Sequence, residues 1–268
     1  TLQPSDFTKI FMILFFAKFL MNHEARMKEP LTIVKSVLLI APSLLLIYKQ
    51  PNLSNTLCIA ALFCILMYIG GLSYKFIGTA LAIAIPAAII VVSIAVMPNQ
   101  PFLKEYQQKR ILAWLEPEKY ADDTAYQQQN SIMAIGSGQL KGKGLNNNTT
   151  TSVKNGNFLL EADTDFIFAI IGEELGFVGC CVVIILLLLI VIECIVIGLR
   201  AKDTGGRIIC GGVGALVGIQ TFINISVATG IFPNTGISLP FVSYGLTSLV
   251  CFFAGIGLVL NVGLQPKK

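Results

Sequence analysis

A chain of 268 residues that is 54% hydrophobic and 13% charged, with a net charge of +4, lies far from the roughly one-quarter charged composition of soluble domains. Its seven cysteines lie in apolar runs with no C-x-x-C pair or neighbouring histidine, which excludes a zinc ribbon or a disulfide framework. The modest positive charge forms no basic stripe suited to nucleic acid.

Several apolar runs approach the roughly 20 residues needed to cross about 30 Å of hydrocarbon. They predict an all-α, polytopic membrane helical bundle, a single integral membrane domain over residues 1–268. In chain order the predicted spans are about 7–21, 31–48, 54–70, 76–97, 166–199, 207–232 and 243–264. Pro42 and Pro86 fall inside two of them, which membrane helices tolerate when neighbours satisfy the freed carbonyls. The chain starts with Thr, and its first residues already resemble the start of a span. It therefore reads as a fragment lacking its N-terminus, with no signal peptide to interpret. His23, the single histidine, sits in a polar turn beside Asn22 and Glu24 and is not a candidate ligand.

If the spans alternate, Arg26, Lys28, Lys35, Lys75, Arg200, Lys202, Arg207, Lys267 and Lys268 fall on one side. The opposite short loops hold little beyond Lys9 and Lys49, and Lys18 would snorkel to the basic side. The positive-inside rule makes that side cytoplasmic, with the C-terminus inside and the large loop 98–165 outside.

That loop is too long for a connector. Within it, "YQQKRILAWLEPEKY" is amphipathic, with Ile111, Leu112 and Leu115 set against Lys109, Arg110 and Glu116. The pattern suits a helix lying on the outer leaflet or one packed on the bundle. "AIGSGQLKGKG", Ala134 to Gly144, combines glycines with Lys141 and Lys143. It fits no Walker A register, but its backbone N–H groups, around Ser137 and Gly138, suit a phosphate. The tract "NNNTTTSVKNGN" reads as a solvated loop.

The segment 166–199 would extend about 50 Å as one helix at about 1.5 Å per residue, more than a bilayer requires. "VVIILLLLIVIECIVIGL" already suffices, so Asp165 to Gly176 belongs at the outer interface. It would be a helical extension, or be separated by a break near Gly172, Gly176 or Gly179. Acids cluster there: Glu161, Asp163, Asp165, Glu173 and Glu174. N-terminal capping by Thr164 or Asp165 accounts for one of them, and acids at membrane depth mark sites. Outward acids and cations on membrane helices suit a phosphate-bearing lipid substrate. Glycosyl transfer from a pyrophosphate-linked donor needs one general base, whereas a glycosidase generally needs two carboxyls.

Six stretches resemble one family in order: "LQPSDFTK", "KQPNLSNT", "GGLSYKFI", "QQNSIMAIGSGQLKGKGL", "EADTDFIFAIIGEELGF" and "GISLPFVSYG". They resemble the SEDS polymerases, which include RodA, FtsW and SpoVE. The resemblance implies a bundle of about ten helices, so that about three N-terminal spans would precede these seven. It also implies polymerisation of lipid II at the outer face of the bacterial plasma membrane, with a class B penicillin-binding transpeptidase as partner. Asp165, in T-D-F-I-F, matches the family's essential acid and is implied as general base or as ligand to a divalent cation, Mg or Mn. Charge alone adds Arg110, Lys141 and Lys143 as phosphate contacts, and Ser137, Gly138 and Glu161 complete the candidate substrate set. Gln3, Pro4, Ser5, Ser243, Tyr244 and Gly245 are expected to shape the cavity. The chain departs from the family pattern at Asn52, Ser54, Asn130, Asp163, Leu246 and Thr247. The competing readings are a lipid II flippase, which would want polar groups through the depth of the helices, and a non-catalytic scaffold, which would not need Asp165.

Overall fold

The computed structural model describes residues 3–27, 29–49, 53–97, 100, 103–120, 125–145, 159 and 162–265. Among these, every regular element is a helix. Seven coincide with the predicted spans: α1 (Pro4–Asn22), α2 (Pro30–Lys49), α3 (Leu53–Ile69), α4 (Tyr74–Val96), α7 (Ile167–Leu199), α8 (Thr204–Ala228) and α9 (Leu246–Leu264). Two more, α5 (Glu105–Leu115) and α6 (Tyr126–Ser137), lie in the long loop. Four helices, α2, α7, α8 and α9, are long and apolar enough to cross a membrane. α1 has the length but carries Asp6, Lys9 and Lys18.

The chain forms two compact units. The first comprises Thr1–Ile77, Ile185–Thr221 and Pro240–Lys268. Here α1 starts at Pro4, whose fixed φ suits the first helical turn, and packs against α3 and α9. Ile13, Phe16, Leu20, Leu62, Leu66 and Met67 form its interior. α8 comes close because Gly212 has no side chain; a Cβ there would lie 2.7 Å from Leu66 Cδ2. In lipid, helices gain little from hydrophobic burial against each other, so such close packing holds them together. Leu38, Leu45 and Leu46 of α2 and Leu186, Leu188 and Leu189 of α7 stay exposed, as a lipid-facing surface requires.

The second unit comprises Gly78–Ile184 and Phe222–Leu239. Its core gathers Ala134 of α6, Leu159, Phe166, Ala169 and Ile170 of the α7 region, and Val227 of α8. The amphipathic segment resolves as a packed helix: Ile111 and Ala113 of α5 are buried, and Trp114 Nε1 donates to the Gly230 carbonyl at 2.9 Å. α6 reaches four residues into the stretch read as a glycine-rich loop, through Ala134 to Ser137. Its polar face explains why. The last carbonyls of a helix have no partner within it. At the end of α8 they are met from α6, where Gln128 Nε2 donates to Val227 O at 2.8 Å and Ser131 Oγ to Ala228 O at 2.8 Å. The Asn- and Thr-rich tract and Asn52 lie outside the described residues.

Candidate active site

Asp165 lies in the turn of residues 162–166 that leads into α7, partly exposed ahead of a long apolar run. Its place is fixed from α8. Asn224, 1% exposed, donates from Nδ2 to the Asp165 carbonyl at 2.8 Å and to the Ile237 carbonyl at 2.7 Å. One amide thus ties the Asp165 turn to the extended segment after α8. The carboxylate packs against that segment where Gly236, at φ +67°, offers no side chain; a Cβ there would stand 3.1 Å from Asp165 Oδ2. Asn224 is a polar residue inside an apolar helix, a signal of function or of necessary hydrogen bonding that the sequence reading passed over. Gly236 lies in the quoted "GISLPFVSYG" stretch, but nothing in the sequence ties it to Asp165.

About three turns further on, α7 breaks at Gly176, whose φ of +67° and ψ of −165° fall in a region open essentially to glycine alone. A break leaves carbonyls unpaired before it and N–H groups unpaired after it. The segment after α6 supplies both sets of partners. Lys143 N–H and Gly144 N–H donate to the Glu173 and Glu174 carbonyls at 2.9 and 3.0 Å. Phe177 N–H and Val178 N–H donate to the Gln139 and Leu140 carbonyls at 2.8 and 3.2 Å. Lys143 Nζ adds a 2.8 Å ion pair to Glu173 Oε1, with the glutamate side chain 2% exposed.

The other candidates distribute as follows. Lys141 and Arg110 are exposed and make no ion pair among the described residues. Ser137 Oγ donates back to Ala134 O at 2.8 Å. Gly138 lets α6 meet α7, since a Cβ there would overlap Gly172 O. Glu161 lies outside the described residues. In the first unit, the Gln3 N–H faces Thr247 Oγ1 at 3.4 Å, and Ser5 Oγ accepts from Asn55 Nδ2 at 3.2 Å. Pro4 opens α1, Ser243 is buried, Tyr244 is 80% exposed and Gly245 caps α9. Phe241 takes a φ of +62°, unusual for a bulky residue, with its ring against those of Phe252 and Phe253.

The same unit holds a pair that the sequence reading missed. Lys9 Nζ lies 3.0 Å from Asp6 Oδ1, the side chains 3% and 11% exposed. The sequence alone places Lys9 in an outer loop, but α1 begins at Pro4 and carries Lys9 inside the helix. The i,i+3 spacing of acid and base on a membrane helix was the available signal. Among the described residues no group of three His, Cys, Asp or Glu could hold a metal ion by itself.

Fold and site together define a multi-pass helical membrane protein, with one acid held in a fixed turn at the mouth of a broken helix and exposed cations in its large loop. The FTSW_RODA_SPOVE family, "Cell cycle protein", matches residues 1–268. The chain belongs to this family. It is 34% identical over 267 residues to the peptidoglycan glycosyltransferase MrdB of Escherichia coli K12, covering 99% of this chain and 69% of that one. It is 32% identical over 269 residues to the probable peptidoglycan glycosyltransferase FtsW of Geobacter sulfurreducens, covering 99% and 68%. Among solved structures, a chain of a peptidoglycan synthase complex superposes with a TM-score of 0.73 at 27% identity, covering 97% and 69%. The rod shape determining protein RodA of Thermus thermophilus shares the fold, with a TM-score of 0.63 at 23% identity, covering 98% and 67%.

Proposed function

We propose that this peptidoglycan glycosyltransferase polymerises lipid II at the outer face of the bacterial plasma membrane, with Asp165 as general base. The carboxylate takes the proton from the 4-hydroxyl of the acceptor N-acetylglucosamine as that oxygen attacks the anomeric carbon of the donor N-acetylmuramic acid. The bond between that carbon and the phosphate oxygen breaks, and undecaprenyl pyrophosphate leaves with the oxygen and the electron pair. The observation that carries this reading is the double constraint on Asp165, its backbone pinned by Asn224 and its carboxylate set against Gly236. A base held in one geometry serves proton transfer better than a solvated acid, and positioned bases contribute about 10²–10⁴-fold in rate.

Lys141 and Arg110, exposed and without an ion pair among the described residues, are the candidates to meet the pyrophosphate, whereas Lys143 is engaged with Glu173. If a divalent cation, Mg or Mn, takes part, Asp165 would be the residue to hold it, as such ions need only one or two protein carboxylates. It would supply neutralisation of the leaving group. The cytoplasmic C-terminus follows from the basic loops. A class B penicillin-binding transpeptidase is the proposed partner, in keeping with the synthase complex that the chain resembles.

The test reconstitutes the full-length protein in vesicles and follows two products from purified lipid II: glycan strands and lipid II moved between leaflets. Strands made with lipid II on the outer side alone are the expected result. Translocation without strands would replace this reading by that of a flippase.

A further inference from the structure

A cavity of about 370 Å³, within the roughly 300–1,000 Å³ range of small-ligand pockets, opens between α5, α6 and the end of α8. Trp114, Gln128, Gln129, Ile132, Met133 and Gly230 line it. Two of these side chains are immobilised. The indole of Trp114 is locked by its hydrogen bond to Gly230 O, and Gln128 Nε2 is held by Val227 O and Phe232 O at 2.8 and 2.7 Å. The Gln129 side chain makes no hydrogen bond among the described residues, and Ile132 and Met133 are 44% and 58% exposed.

We propose that this pocket is a subsite for an N-acetylhexosamine ring of the growing glycan strand, stacked on Trp114 and hydrogen-bonded by Gln129. A pyranose ring presents an apolar C–H face and a rim of hydroxyls and an acetamide. A rigid aromatic surface takes the face, and a glutamine amide both donates to and accepts from the rim. Ile132 and Met133 suit the acetamido methyl. An acyl or prenyl chain would instead strip water from the amides without replacing their hydrogen bonds. Two of the helices that build the pocket, α5 and α6, belong to the loop between α4 and α7, and α8 contributes only its end, so the pocket suits a polar polymer. It rests on the glycan-polymerase reading and extends it from the bond-forming step to strand retention.

Trp114 is the only tryptophan of these 268 residues, and its signal in the full-length protein is isolated by difference from a variant that lacks it. The full-length protein in detergent is titrated with a tetramer of N-acetylglucosamine. Fluorescence is read against Trp114→Phe, and affinity by calorimetry. The expected result is a saturable change absent from the phenylalanine variant. Trp114→Ala should weaken binding about tenfold, the upper range of aromatic contact energies, and Gln129→Leu should weaken it several-fold; both variants should make shorter strands. Gln129→Leu stands as the second variant should Trp114→Ala fail to fold. Binding that survives Asp165→Asn separates this pocket from the catalytic proposal. No saturable change in a protein that still polymerises lipid II, wild-type affinity in both variants, or displacement of the tetramer by undecaprenyl phosphate would overturn the subsite and leave the polymerase reading intact.

Discussion

At Asp165, the residue scale separates two kinds of dependence. Asn224→Leu keeps the side-chain branching but removes the donor to the Asp165 and Ile237 carbonyls. Each orphaned buried group costs about 1–3 kcal/mol, so unfolding should occur at lower temperature and kcat should fall. Gly236→Ala acts differently. Its Cβ would press on Asp165 Oδ2, at a φ that disfavours alanine. The expected outcome is a fall in kcat larger than the loss of thermal stability accounts for, read from lipid II turnover beside a melting curve. If both variants kept wild-type kcat, Asp165 would not depend on this setting. Lys141 and Lys143 stand two positions apart and are alike in charge, yet the fold separates their roles. Lys143→Ala strands a buried glutamate, and breaking such a pair costs about 3–5 kcal/mol, less where one partner is partly exposed, as Lys143 is. Lys143→Met with Glu173→Leu should regain much of that loss in thermal unfolding. Lys141→Ala should raise KM for lipid II and leave the melting temperature alone.

Among the elements, the break in α7 holds the site's surroundings together. Gly176→Ala would force a side chain into a backbone region reserved for glycine and within 2.3 Å of Gly142 N. Strain of this kind costs about 1–3 kcal/mol before the overlap is counted, so the variant should accumulate poorly and melt early in detergent. A wild-type melting curve would mean that the break is not needed. This element also shows what the chain makes legible. The membrane helices were readable because a run of apolar residues near bilayer length has few other uses. An excess of residues in 166–199 left two options, a helical extension or a break near one of three glycines; the choice of Gly176 depends on the capping segment that runs from Gln139 to Gly144. α6 is not legible in the sequence, because the polar residues Gln128 and Ser131 hold it against orphan carbonyls of α8 and its last four residues read as part of a glycine-rich loop. That signal exists only once both helices are in place. Asp165 was legible from its motif. Its supports, Asn224 and Gly236, were not, because their roles arise from contacts 59 and 71 residues along the chain.

For the whole molecule, the account depends on sidedness. Cysteine placed at Lys141 should react with a membrane-impermeant maleimide in intact cells, and cysteine placed at Lys202 should not; the reverse pattern would turn the protein over. The most direct test of the central claim is the yield of glycan strands from purified lipid II by full-length Asp165→Asn protein that elutes and melts like wild type. The account predicts a loss of at least about 100-fold, the lower bound for a positioned base, with and without the transpeptidase present. Strands made at the wild-type rate by that variant would contradict it.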